Sequence, residues 1–190
     1  MDFSAETILS IFLGIGLAAS VGFRIFVPLF ALSLASFYNI IPLNENWEWI
    51  GSSTALVILG VATFVEILAY FIPWLDNLLD TIAVPLAALA GTAVMVATVS
   101  DLDPTVTWAL AIIAGGGTAV AIKGTTSSTR LASTATTAGV ANPIISTIET
   151  GTSMVMSVFS IFIPIVAIAL VVIIFWLLFK VFKLFKPSKK

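Results

Sequence analysis

Apolar runs of helix length alternate along this chain with short polar or proline-bearing breaks, and the breaks place the elements. Residues 8–21 form a first apolar helix with Gly14, Ala18 and Gly22 at i, i+4, i+8, a small-residue face of the kind that lets helix backbones approach closely in a bilayer. After Arg24 a run over residues 25–38, interrupted by Pro28, covers only roughly 21 Å at about 1.5 Å per residue, short of a hydrocarbon layer roughly 30 Å thick. It predicts a re-entrant half-helix. Residues 39–49, with Pro42, Glu45, Glu48, Trp47 and Trp49, predict a loop entering an interfacial aromatic belt. Spans are predicted over residues 50–72, carrying Glu66, and over the uncharged residues 81–100, with Asp76 and Asp80 in the polar turn between them. Pro104 then opens a span over residues 105–122 that contains Gly115, Gly116 and Gly117. Beyond it comes a polar stretch with Lys123, Arg130 and nine Ser/Thr hydroxyls between Thr125 and Thr137. Gly139 and Asn142-Pro143 break the chain before a weaker span over residues 144–160 with Glu149, and a last span covers residues 161–179.

The two halves rhyme. Gly14-x-Gly16, Arg24, a short segment, a helix with Glu66 and an uncharged helix parallel Gly115-x-Gly117, Arg130, a short segment, Glu149 and an uncharged helix. The parallel predicts two repeats, residues 1–100 and 101–183, followed by a basic tail, 184–190. The expected fold is an all-α integral membrane protein of about six transmembrane helices plus two short re-entrant helices, arranged as an inverted repeat. Five of the eight Lys/Arg lie in the last eleven positions, which anchors the C-terminus in the cytoplasm. Counting back through six crossings predicts a cytoplasmic N-terminus as well, with Arg24 and the acidic turns outside. The opening residues lack a basic n-region, so the first helix is expected to be retained and not cleaved as a signal peptide.

Composition narrows the chemistry. Hydrophobic residues make up 59% and charged residues 9%, and the mean hydropathy is +1.16, values that exclude a water-soluble core. There is no Cys and no His, so disulfides, thiolate or imidazole metal sites and His-based catalysis are absent, and proton chemistry falls to carboxylates. No metal, cofactor or nucleic-acid partner is expected.

Three constellations carry candidate function. Arg24 and Arg130 each precede a short helix-like segment, where free N–H groups and the positive dipole end favour an anion. With Lys123, Ser127, Thr134 and Asn142 they form the expected binding site for a phosphate, a carboxylate or a lipid head group. The blander readings are a solvated loop around Arg130 and snorkelling of Arg24. Glu66 and Glu149 are costly in lipid, about 2.5–3.5 kcal/mol for a central charge, so they are expected to face the bundle interior, either carrying protons or pairing with basic residues. Asp76 and Asp80 form a D-x-x-x-D pair resembling the Mg²⁺ sites of membrane transferases, but no second acidic motif accompanies them, and a polar interfacial turn is the stronger expectation.

The segment GLAASVGFRIFVPL, the Asp76/Asp80 turn followed by Pro85 and Ala90-Gly91, and GGGTAV with the downstream R-x-x-x-T-x-T-T-A-G-V-A-N-P-x-x-S-x-x-E resemble the bacterial membrane family DUF4126 over nearly the whole chain. The resemblance implies a bacterial inner-membrane location and no established activity. Where that family tends to carry a His and a Lys this chain has Lys123 and Thr126, and Thr150 stands where an acidic residue follows the glutamate, so no His-dependent step carries over. The expected function is a transporter, flippase or channel for a small anion or anionic lipid head group, coupled to protons through Glu66 and Glu149. The alternative is a non-transporting scaffold or accessory subunit that binds another membrane protein or a second copy of itself.

Overall fold

The computed structural model describes residues 4–185, and among these every regular element is helical. In chain order they are α1 (Ala5–Phe23), α2 (Phe26–Phe37), a 3-10 helix (Glu45–Gly51), α3 (Ser53–Ala69), α4 (Pro73–Thr98), α5 (Pro104–Leu110), a π-helical segment (Ala111–Gly116), α6 (Gly117–Thr137), α7 (Asn142–Phe162) and α8 (Pro164–Phe185). Four spans are long and apolar enough to cross a membrane: Ala5–Phe23, Leu78–Thr98, Pro104–Thr137 and Asn142–Phe162. The 3-10 helix and α3, bent by 63°, make a fifth if they form one span, whereas Phe26–Phe37 and Pro164–Lys180 are shorter apolar helices. By length and composition, four or five of the six expected crossings are matched among the described residues. Large apolar side chains cover the outer surface; Leu89 is 69% exposed and Ile113 75%. That is the surface of a membrane protein, not of a water-soluble one.

The breaks work as the sequence suggests. Ser4 Oγ accepts from Thr7 N at 3.0 Å and Ser52 Oγ from Ala55 N at 3.1 Å, capping α1 and α3. Asp103 Oδ1 accepts from Thr105 N at 2.8 Å, and Pro104, whose missing N–H is no loss in a first turn, starts α5. Ala138 and Gly139, both at positive φ, end α6.

Helix α1 is the hub, packing against α4, α6, α7 and α8. Its small residues make this possible. Gly14 faces Met95 and Thr98 of α4, and Gly16 faces Ser160 of α7 and Ala167 of α8. A methyl on Gly22 would stand 2.5 Å from Ile122 Cβ of α6, so only glycine permits that approach. Gly115 meets α4 in the same way, since a Cβ there would lie 2.5 Å from the Gly91 carbonyl oxygen.

Pairing contacts give the helix directions. Ser100 N donates to Ser10 Oγ at 3.2 Å, and Asn44 Nδ2 donates to the Val96 and Val99 carbonyls at 2.7 Å each. One end of the bundle therefore holds the start of α1, the turn after α2 and the end of α4. Helix α7 runs antiparallel to α1, with Ser160 beside Gly16, Ser153 and Ser157 bonded to Ser20, and Ser146 bonded to Arg24. Helix α8 starts beside Gly16 and runs back alongside α1.

Two elements depart from the sequence reading. The hydroxyl-rich stretch is not a loop but the continuation of one 34-residue helical span, Pro104–Thr137. Its hydroxyls bond back to carbonyls one turn earlier: Thr125 to Ala121 at 2.9 Å, Ser128 to Gly124 at 2.7 Å, Thr129 to Thr125 at 2.9 Å and Thr136 to Ala132 at 2.8 Å. Satisfied inside the helix, they neither break it nor reach for a ligand. It follows that Arg130 sits inside α6 and precedes no short helix, so the second re-entrant segment is absent among the described residues. The other departure is α4, which begins at Pro73 and takes Asp76 and Asp80 into its first two turns.

Candidate functional site

The end of the bundle opposite Ser10 and Ser100 holds a buried cluster of charge drawn from the α1–α2 junction, α3, α4, α6 and α7. Arg24, Lys123 and Arg130 are each 1% exposed or less. Against them stand Asp76, Asp80 and Glu149, three carboxylates for three cations.

Arg130 lies at its centre. Its Nε donates to Glu149 Oε1 at 3.2 Å, its Nη2 to Glu149 Oε2, and its Nη1 to Asp76 Oδ1 at 2.5 Å. Asp80 Oδ2 is 3.9 Å from its Nε. This is the planar fork of a guanidinium gripping one carboxylate with two donors and a second with another. Arg24 leaves α1 and crosses to α7, donating from Nε to Thr150 Oγ1 at 2.9 Å and from Nη2 to the Ser146 carbonyl at 3.0 Å and its hydroxyl at 2.5 Å. Its Nη2 lies 3.6 Å from Glu149 Oε2. The Arg24 Nη1, buried like the rest, has no acceptor. Lys123 Nζ is 3.2 Å from the Tyr70 hydroxyl and 4.0 Å from Asp80 Oδ1.

Tyr70 ties the three cations together. The Arg24 guanidinium carbon lies 3.9 Å from its ring centroid, that of Arg130 4.5 Å and Lys123 Nζ 5.1 Å. A ring face offers each cation a partner that brings no further charge. Burial, and after it the Asp80 carboxylate, pushes the Tyr70 phenol above its ordinary value. Its hydroxyl therefore stays protonated, accepting from Lys123 and donating to Asp80 at 3.5 Å.

Every site residue expected from the sequence takes part in or borders this cluster. Asn142 Nδ2 donates to Asp76 Oδ2 at 2.9 Å and to Thr134 Oγ1 at 3.0 Å, and Ser127 Oγ approaches Asp80 Oδ1 at 3.4 Å. Their assignments change in three respects. Asp76 and Asp80 do not form an interfacial polar turn; they are helical, Asp76 is 1% exposed, and both face Arg130. Arg130 is neither in a solvated loop nor at a helix start. At the start of α2 beside Arg24, the place expected for an anion is taken by the chain itself: Glu66 Oε1 accepts from Ile25 N at 2.8 Å and Oε2 from Phe26 N at 2.9 Å. A carboxylate fits there because the first N–H groups of a helix have no partner of their own. Glu66 and Glu149 do face the interior; Glu149 pairs with Arg130 and Arg24, as expected of it, whereas Glu66 is bonded to backbone N–H groups and to no basic residue. The sequence reading missed Tyr70, Ser146 and Thr150. Tyr70 had a signal, since it lies four residues after Glu66 on the same helical face; Ser146 stands in the family motif and Thr150 follows Glu149, but neither position marks its hydroxyl as a partner of Arg24.

The aspartates are spent on cations, and among the described residues no group of three or more metal-ligating side chains is arranged to hold a metal ion. No curated protein and no solved structure matches the chain. The family profile described as "Domain of unknown function (DUF4126)" matches residues 11–184, and the chain belongs to that family.

Proposed function

We propose that this protein is a transporter for a small anion or an anionic lipid head group, captured in a self-paired state in which its own carboxylates occupy the cationic site. The observation that supports this reading is the grip of Arg130 on Glu149 and Asp76 beside an Arg24 donor that has no acceptor. A carboxylate held by a guanidinium fork is a stand-in for any oxyanion of similar geometry. In the proposed cycle an arriving anion competes for Arg130 and Arg24, Glu149 is released and takes a proton, and anion and proton cross together. Buried ionisable groups between membrane helices are retained chiefly for such tasks. No enzymatic step is included.

The reading includes an orientation. We infer that α2 with its following turn makes one return and that α8, the other shorter apolar helix, and the bent pair each cross, which gives seven passes and termini on opposite sides in place of the two cytoplasmic ends expected from the sequence. Arg24, Lys123 and Arg130 then share one side, while Glu6, Glu45, Glu48, Asp101 and Asp103 lie toward the other. The positive-inside rule makes the basic side cytoplasmic. Single cysteines placed at Ser4 and Asn46 in this Cys-free chain should label from the same side, opposite to one at Ser188; labelling of Ser4 together with Ser188 would restore the even count.

The functional test is uptake into proteoliposomes. Glu149→Gln keeps the shape of the carboxyl group but cannot ionise, and it is expected to retain folding and anion binding while uptake loses its pH dependence. Uptake that keeps its pH dependence makes the glutamate structural. The scaffold reading has one observation in its favour, the closed pairing of the cluster, but the small-residue faces it would present to a partner are used inside the bundle, by Gly14, Gly16 and Gly22 on α1 and Gly91 on α4.

A further inference from the structure

Around Glu149 stand Arg24 from α1, Lys123 and Arg130 from α6, Asp76 and Asp80 from α4, and Tyr70 and Glu66 from α3 and its end. A buried set of charges tolerates exchange of its members far better than a change in its sum, because an uncompensated charge keeps the full cost of its lost hydration. Each carboxylate has its own post. Asp76 accepts from Arg130 Nη1 at 2.5 Å and from Asn142 Nδ2 at 2.9 Å. Asp80 is, among the described residues, the one carboxylate within 4.0 Å of Lys123 Nζ, so neutralising it would strand that lysine. Glu66 is bonded to the Ile25 and Phe26 N–H groups, and its charge stays as it is whatever Arg130 holds. Glu149 alone is shared by both arginines, so an anion that displaces it gains both.

On the basis of the anion-transporter reading above, we propose that the substrate is a short-chain monocarboxylate and that one proton crosses with each molecule. Charge comes first. When Glu149 takes a proton the cluster loses one negative charge; a monoanion restores the sum, whereas a dicarboxylate or sulfate overshoots it by one. Shape narrows the choice. Arg130 Nε donates to Oε1 at 3.2 Å and Nη2 to Oε2, two side-by-side bonds to a planar group that reaches the fork on a single carbon stem. The phosphate monoanion and the phosphodiester of a lipid head group also carry one charge, but each brings two further oxygens out of that plane. Size follows from the displaced side chain itself, which beyond its Cα is a propionate. The independent sign of a ligand is Arg24 Nη1, buried and without an acceptor, on the guanidinium whose Nη2 lies 3.6 Å from Glu149 Oε2. A carboxylate free of the tether to α7 can shift to meet it, since each of its oxygens has a second lone pair to offer. On release Glu149 gives up its proton and returns to Arg130, so each cycle moves one anion and one proton and no net charge.

The test places the full-length protein in phosphatidylcholine liposomes whose lumen is more alkaline than a neutral outer buffer. Labelled pyruvate is the probe, a three-carbon acid strong enough to cross lipid slowly unaided, and succinate, inorganic phosphate and dimethyl phosphate are offered in parallel, the last as a soluble lipid head group. Pyruvate is expected to enter about tenfold faster than each of the others. Its rate is expected to be the same whether potassium and valinomycin hold the membrane potential at zero or make the lumen negative. In Glu149→Gln, which has no proton to gain, the negative lumen is expected to slow pyruvate entry several-fold, because the anion then crosses with its charge uncompensated. Wild-type uptake that follows the potential, Glu149→Gln uptake indifferent to it, or entry of any of the other three anions as fast as pyruvate overturns the proposal and leaves the broader anion transporter standing. Should Glu149→Gln fail to fold, the wild-type comparisons decide by themselves. Entry of none of the four removes both readings.

Discussion

Helices α1 and α6 pack on each other and on α4 and α7, and they bury their inner faces by opposite means. The buried residues of α1 are Thr7, Leu13, Gly14, Gly16, Leu17, Ala18, Ala19, Ser20, Val21 and Gly22, with Ser20 bonded across to α7. Those of α6 are Ala119, Ile122, Lys123, Thr126, Ser127 and Arg130. In α1 close approach does the stabilising, and any partner small enough to fit is acceptable. In α6 each buried charge requires a partner of opposite sign at a set distance, and these come from α4 and α7, with a ring face from Tyr70 at the end of α3. One helix is specified by shape and the other by chemistry, and each predicts a different vulnerability.

The largest effect should come from removing the central charge. Arg130→Ala leaves Asp76 buried without its cation and Glu149 with Arg24 alone, and breaking a buried pair by removing one partner costs about 3–5 kcal/mol. Thermal unfolding in detergent should show this, and the triple change Arg130→Met, Glu149→Gln, Asp76→Asn should recover most of it; if Arg130→Ala is neutral, the cluster contributes nothing to α6. Next comes a change of shape in α1. Gly22→Leu forces side-chain atoms into Ile122 and should destabilise by about 1–3 kcal/mol, the range for overpacking, without altering the salt dependence of the transition. An effect as large as that of Arg130→Ala would mean that shape governs both helices. The smallest is expected on the outer face of α6, where Thr129 bonds only to its own helix. Thr129→Ala should lie within about ±0.5 kcal/mol and leave anion uptake unchanged, whereas a loss of uptake would return the hydroxyls to the binding site.

The same contrast explains what could be read in advance. The small-residue spacing of α1, the proline and acidic breaks, and the 12-residue α2 follow from rules that act within a turn or two of chain, and the structure carries them as expected. The identity of the polar residues was legible too, because Arg24, Glu66, Lys123, Arg130 and Glu149 are conspicuous in so apolar a chain. Their partners were not. A run of serines and threonines favours turns when its hydroxyls compete for the backbone, and helix when they bond back one turn, and local sequence does not choose between the two.

What the sequence by itself determined is the solvent and the inventory: apolar helices suited to a membrane, and a small set of charged and polar candidate residues with no soluble domain to place them in. What only the tertiary structure decided is who meets whom. Glu66 at the start of α2, Asp76 on Arg130 across 54 residues and Tyr70 under three cations all depend on helices brought together from distant parts of the chain. The physical reason is that a buried charge has no local preference strong enough to fix its position. Its energy is set almost entirely by the few groups within about 4 Å, and in a low-dielectric interior that energy outweighs the propensities of the helix on which it rides.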